Sequence, residues 1–241
     1  MKLHTNFFLL LMLLAACNND TANKTTADST AVATIQADTI TMQEVEGVYK
    51  DTLPCADCPG IVTTLQLSSD STYITEHQYI GKKKEDLFYT LGRWSLKDSI
   101  VKLSGIKDGP AAYKASLNSL LQLDMEGKEI TGSNLNYTLR RGPSKSFEPK
   151  INIPVEGMFV YYADAHLFTL CATGKTYPAA LTKETVKMES AYSALKKADK
   201  EPLLANVEGI FEMRPGMEEG SRQQTFVIKK FIKFLPGEKC K

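Results

Sequence analysis

Cysteine is the residue type in this chain whose spacing most plainly permits chemistry. Cys55 and Cys58 stand three positions apart in "DTLPCADCPG", with a proline directly outside each of them. A thiol–disulfide catalyst places such a pair where a strand turns into a helix, because the helix N-terminus stabilises a thiolate. Here Pro59-Gly60 is followed by the strand-like "IVTTLQL", so that stabilisation is missing. When reduced, two thiolates at this spacing could grip a soft ion such as Cu(I) from both sides. When oxidised, they would close a small ring that pins the turn between Tyr49 and Ile61. The motif by itself leaves the metal site and the staple both open.

Cys171 and Cys240 lie in the second half of the chain. An even number of cysteines in each half of an exported protein reads as one disulfide per half. A Cys171–Cys240 bridge would enclose about 70 residues, for which loop entropy gives roughly 4 kcal/mol of stabilisation. It would also serve as the weak point of a redox sensor: reduced, it would loosen the last strand while the first half kept its fold. Other chemistry is thinly supplied. Only His77 and His166 follow the N-terminal segment, which argues against histidine-rich zinc sites and a Ser/His/Asp triad, and no glycine-rich phosphate loop is present. Met213 and Met217 in "MRPGM" could add thioether ligands for a soft metal.

The N-terminus addresses the compartment. "MKLHTNFFLLLMLLAAC" has a short polar start with Lys2, an apolar run over 7–14, and small residues up to Cys17. This is the pattern of a secretory signal. The apolar run is far shorter than the ~20 residues needed to span a bilayer. Leu14-Ala15-Ala16-Cys17 resembles the bacterial lipobox, which predicts a signal peptide over 1–16 and lipidation of Cys17. Each buried acyl methylene adds about 0.8 kcal/mol of membrane affinity, so several chains anchor a protein firmly. Asn18 after the cysteine, by likeness to enterobacterial lipoproteins, favours the outer membrane, with the folded part facing the periplasm. Residues 17–44 are rich in Asn, Thr, Ala and Asp and lack periodicity, as expected of a flexible tether. About 25 such residues give a reach of roughly 25–30 Å.

Two segments with different patterning must position the cysteines. Over 45–141, short runs such as "IVTTLQL", "TYITEHQYI", "LFYTLGRWSL" and "NYTLRR" alternate apolar with polar and are separated by polar turns. That pattern predicts about eight antiparallel strands. They would close most readily as a small up-and-down barrel without exposed edges, with Trp94 in its core. A proline-bearing linker follows over 142–154. Over 155–241 the order is three strands, a helix and two strands, the order of an OB-fold. The helix is expected in "TKETVKMESAYSALKKA", with Met188, Ala191, Tyr192 and Leu195 on one apolar stripe. Residues 45–141 carry nine Lys and three Arg against seven Asp and five Glu, and 155–241 carry 13 basic and 11 acidic residues. Neither half has the charge to attract nucleic acid.

These residues carry a family likeness. "GVYKDTLPCADCPGIVTTLQL", "RWSL" and "LNYTLRR" resemble the N-terminal domain of the NlpE copper-homeostasis lipoproteins. "GMFVYYADAHLFTLCATGKTYPAAL", "SAYSALKKADKEPLLANVEG" and Cys240 resemble the C-terminal domain of its two-domain members. The resemblance implies a lipocalin-like small barrel followed by an OB-fold, on a protein anchored in the outer membrane. It also implies roles in copper resistance and in signalling envelope stress or surface contact to an inner-membrane sensor kinase (the Cpx pathway in enterobacteria). The family's C-x-x-C falls on Cys55 and Cys58, and its C-domain cysteines fall on Cys171 and Cys240. The expectation is a non-enzymatic sensor that needs no cofactor and works through its thiol state and its partner. Two alternatives stay open: a periplasmic buffer holding Cu(I) on Cys55 and Cys58, and a lipid or small-ligand carrier, which requires an open apolar cavity in the barrel.

Overall fold

The computed structural model describes residues 40–241 except 82–85, 145, 147, 148, 150 and 217. The signal, Cys17, the tether through residue 39, and Met217 lie outside the described residues. One helical turn, α1 (Met42–Val45), opens the structure. Eight strands follow: β1 (Gly47–Leu53), β2 (Ile61–Leu67), β3 (Thr72–Tyr79), β4 (Leu87–Lys97), β5 (Ile100–Leu103), β6 (Ala112–Ala115), β7 (Ser119–Gln122) and β8 (Thr138–Arg141). Each pairs antiparallel with the next, and β8 returns to β1 through Tyr49↔Arg141 and Lys50↔Arg140, closing the barrel. Closure satisfies the backbone groups an edge would leave open.

Alternation along the strands turns Leu65 and Leu67, Tyr73, Trp94, Val101 and Leu103 into one core with Tyr49, Leu120 and Leu139. A one-residue slip would expose all of them, so the apolar pattern holds the register. Trp94 is buried as expected, and its indole N–H donates to Ser68 O at 2.9 Å.

The end of the expected tether is built into the barrel. Thr41 and Glu44 form a reciprocal capping box around α1, Val45 is fully buried, and Ile40 and Met42 pack on the core. Three apolar residues in six supply burial that the polar stretch ahead of them lacks. Arg141 fastens this plug, donating to the Glu44, Glu46 and Leu117 carbonyls and to the Tyr49 hydroxyl.

The second half contains β9 (Ile153–Tyr162), β10 (Ala165–Leu170), β11 (Thr176–Pro178), α2 (Lys183–Leu195), β12 (Leu203–Pro215) and β13 (Arg222–Leu235). Sheet order is β11-β10-β9-β12-β13, and a parallel bridge from Ala179 to Phe226 joins the two outer strands into a ring. This is OB-fold connectivity. The expected linker gives up its last two residues: Ile153 is fully buried and pairs with Gly209, which places it inside β9. Phe159, Phe168, Tyr192 and Phe226 fill the core. Gly157 makes room for it, since a Cβ there would come within 2.3 Å of the Phe168 ring.

The helix forms where expected, but its buried stripe differs. Thr185, Met188 and Tyr192 are buried and Ala191 is packed against them, whereas Leu195 is exposed. The helix ends at Leu195 and the chain turns away at Lys196, leaving Leu195 nothing to cover. Thr185 enters the core because its hydroxyl donates to Ala180 O and Thr182 O.

Candidate functional site

Residues 54–60 bridge β1 and β2 at one end of the barrel without helix, so no helix dipole acts on the cysteines. Cys55 and Cys58 are disulfide-bonded, with their Cα atoms 5.3 Å apart. Asp57 Oδ1 lies 3.4 Å from Cys55 Sγ, and the carbonyl oxygen of Gly60 lies 3.3 Å from Cys58 Sγ. The two sulfurs and the Asp57 carboxylate sit within 4.8 Å of one another, the one such donor group among the described residues. In the oxidised state the sulfurs are bonded to each other. Two electrons would have to break that bond, and any protons taken up by the resulting thiols would have to leave, before either sulfur could serve as a thiolate ligand.

Sulfur donors suit Cu(I), whereas the carboxylate is a hard ligand suited to other ions. As a dithiol the site therefore fits a soft monovalent ion on Cys55 and Cys58, with Asp57 as a neighbouring charge. The loop also forms part of a rim. Pro54, Cys55 and Ala56 line the mouth of a cavity in the open half of the barrel, with Thr75 and His77 inside. Burial pushes the His77 imidazole below its ordinary value, so the ring is neutral at pH 7.

The second bridge is remote from the first in sequence and joins Cys171, directly after β10, to Cys240, five residues past the end of β13 at Leu235. Cys171 is half-buried and its N–H donates to Glu156 O at 3.0 Å; Cys240 is exposed. β13 itself pairs with β12 from Leu235 to Arg222. The bridge therefore ties the tail to the 171–175 turn, beyond the span over which β13 pairs with β12. The turn faces the barrel. Arg93 of β4 donates to Thr173 O at 2.7 Å, and Lys175 Nζ reaches Asp70 at 2.5 Å. Leu91 of β4 packs on the second core.

His166 sits elsewhere, on β10, stacked on Tyr161 at 4.8 Å and 3.2 Å from Glu189 of α2. The structure thus brings neither histidine to a cysteine pair. Sequence reasoning missed Arg141, Arg93, Lys175 and Thr75. Arg93 and Lys175 sit among polar residues without a distinguishing pattern, and Thr75 reads as an ordinary strand threonine.

Comparison with known proteins agrees with this architecture. The family model described as the NlpE N-terminal domain matches residues 49–133, and that of the NlpE C-terminal OB domain matches 149–241. Lipoprotein NlpE of Escherichia coli (strain K12) is 31% identical over 231 residues, covering 95% of this chain and 92% of that protein. The chain belongs to the NlpE family. The crystal structure of the Cpx pathway activator NlpE from Escherichia coli is 33% identical and covers 81% of this chain and 98% of its own, with a TM-score of 0.36. A solved chain from Shewanella oneidensis is 37% identical over 41% of this chain and 90% of its own, with a TM-score of 0.37. At such scores the overlays carry no argument, and membership rests on the sequence matches. Cys55 and Cys58 fall within the N-terminal NlpE match, and Cys171 and Cys240 within the C-terminal one.

Proposed function

We propose that this NlpE-family chain is an envelope lipoprotein, held through Cys17 at the periplasmic face of the outer membrane, that reports thiol damage to an inner-membrane sensor kinase. The E. coli relative is a lipoprotein, which supports the anchor together with the lipobox-like Leu14-Ala15-Ala16-Cys17. The kinase is the partner class that the family resemblance implies. One observation carries the sensing step: Cys171 lies at the base of the turn whose Thr173 and Lys175 hold the barrel. Cys240 is exposed, so a reductant has access to the bridge. Reduction adds two electrons and two protons, frees the terminal residues, and removes the covalent brace on that turn. Contacts between barrel and turn then loosen while both cores persist.

Replacing Cys171 and Cys240 together by serine tests this. The bridge closes a loop with a sequence separation of 69. Its loss is expected to destabilise the second half by about 4 kcal/mol, so that it unfolds at lower urea than the barrel and the two transitions separate. In cells, an envelope-stress reporter should rise without added reductant. A reporter at parental level, with the variant exported and lipidated, defeats the sensing role.

A second reading rests on the donor group of Cys55, Asp57 and Cys58. Reduced to a dithiol, Cys55 and Cys58 would bind Cu(I) and release their protons, which would make the loop a copper buffer beside the sensing bridge.

A further inference from the structure

The two halves of the barrel interior are built differently. Towards α1, Tyr49, Leu65, Leu67 and Trp94 fill the space, each at most 3% exposed. Towards the 54–60 loop the interior contains a cavity of about 750 Å³. That volume lies within the range of roughly 300–1,000 Å³ typical of small-molecule sites. Its polar lining includes Thr63, Thr75, His77, Thr90, Tyr113 and Gln122. All of these are hydrogen-bonding groups without charge at neutral pH. The charged side chains on its lining, Lys107 and Asp108, are exposed and belong to the β5–β6 loop. Leu53 and Leu103, both largely buried, provide apolar wall beside the polar groups.

Thr75 belongs to the wall, 2% exposed, so the ligand-accessible polarity comes from its partly exposed neighbours His77, Thr90 and Gln122.

We infer that this cavity is a binding site for a small, uncharged, amphipathic molecule whose polar end hydrogen-bonds the uncharged polar lining and whose apolar body lies against Leu53 and Leu103. A charged group brought to that depth would find no counter-charge, and burying it unpaired is prohibitively unfavourable. A long acyl chain does not fit either, because the half beyond is filled with core side chains. The carrier alternative read from the sequence called for an open apolar cavity; the observed one is short and polar-lined, which replaces a lipid with a compact neutral ligand. The site is independent of the Cys171–Cys240 sensing role, which uses a different part of the molecule.

The test uses the exported protein with its disulfides intact and N-phenyl-1-naphthylamine as probe, an uncharged arylamine that fluoresces when buried. Its sulfonated analogue, 8-anilinonaphthalene-1-sulfonate, serves as the charged comparison. The parent should bind the neutral probe saturably, one per chain, and the sulfonate at least tenfold more weakly. Ile106→Trp, on the loop at the mouth, should weaken the neutral probe at least tenfold without unfolding the barrel. Absence of saturable binding, equal affinity for the two probes, or parental affinity in a folded Ile106→Trp protein would each overturn the assignment.

Discussion

His77 shows what a single side chain contributes once the barrel surrounds it. It occupies an inward position of β3 and lines the cavity, and burial lowers its affinity for a proton. Unfolding returns it to an ordinary imidazole with a pKa near 6.5. As pH falls through that region, the unfolded chain takes up the proton more readily, so stability is lost on acidification. The slope cannot exceed about 1.4 kcal/mol per pH unit for one group. Urea midpoints measured between pH 7.5 and 5 should therefore fall in the parent and flatten in His77→Gln. A parent and variant with parallel profiles would show that His77 is not the group responsible. The sequence presented His77 as one of two scarce histidines, but its neutrality comes from neighbours contributed by several strands.

At the scale of elements, strands and helix were legible because each carries its own period, two in the barrel strands and near 3.6 in α2. The turns were less legible. β9 and β10 meet through Ala163 and Asp164, both at positive φ (47° and 59°), the geometry of a tight two-residue hairpin. Asp tolerates that region, but Ala is penalised there, because its Cβ crowds the backbone. Ala163→Gly is expected to stabilise the second half by about 1 kcal/mol, read as a higher urea midpoint with unchanged slope. A lower midpoint would mean that the alanine methyl makes contacts that outweigh the strain. The linker boundary was misplaced for a related reason: Ile153 and Pro154 lie within β9 next to proline-bearing polar sequence, and only pairing with β12 makes them strand. Likewise α1 is too short to show a period, and its capping box matters because Val45 has a core to enter.

For the whole molecule, the contact between barrel and 171–175 turn combines a charge-assisted bond from Arg93 with the Lys175–Asp70 pair. Burial raises the Asp70 carboxyl, but bonds from Lys175 and Thr72 outweigh this and leave it below its usual value. The half-exposed ion pair itself contributes about 0–1 kcal/mol, and the Arg93 bond roughly 1.5–3 kcal/mol. Arg93→Met with Lys175→Met should therefore uncouple the halves: calorimetry of the variant should show two transitions several degrees apart where the parent shows one. A single unshifted transition would show that the apolar contact through Leu91 suffices. By itself the sequence determined the strand-rich barrel, the OB element order and the pairing of cysteines within each half, because those depend on local pattern. Tertiary structure alone decided that the Cys55–Cys58 loop rims a cavity, that His77 lines it, and that Cys171 stands beside the turn touching the barrel. Each of these juxtaposes residues far apart along the chain, and no local period or composition encodes which strands will meet.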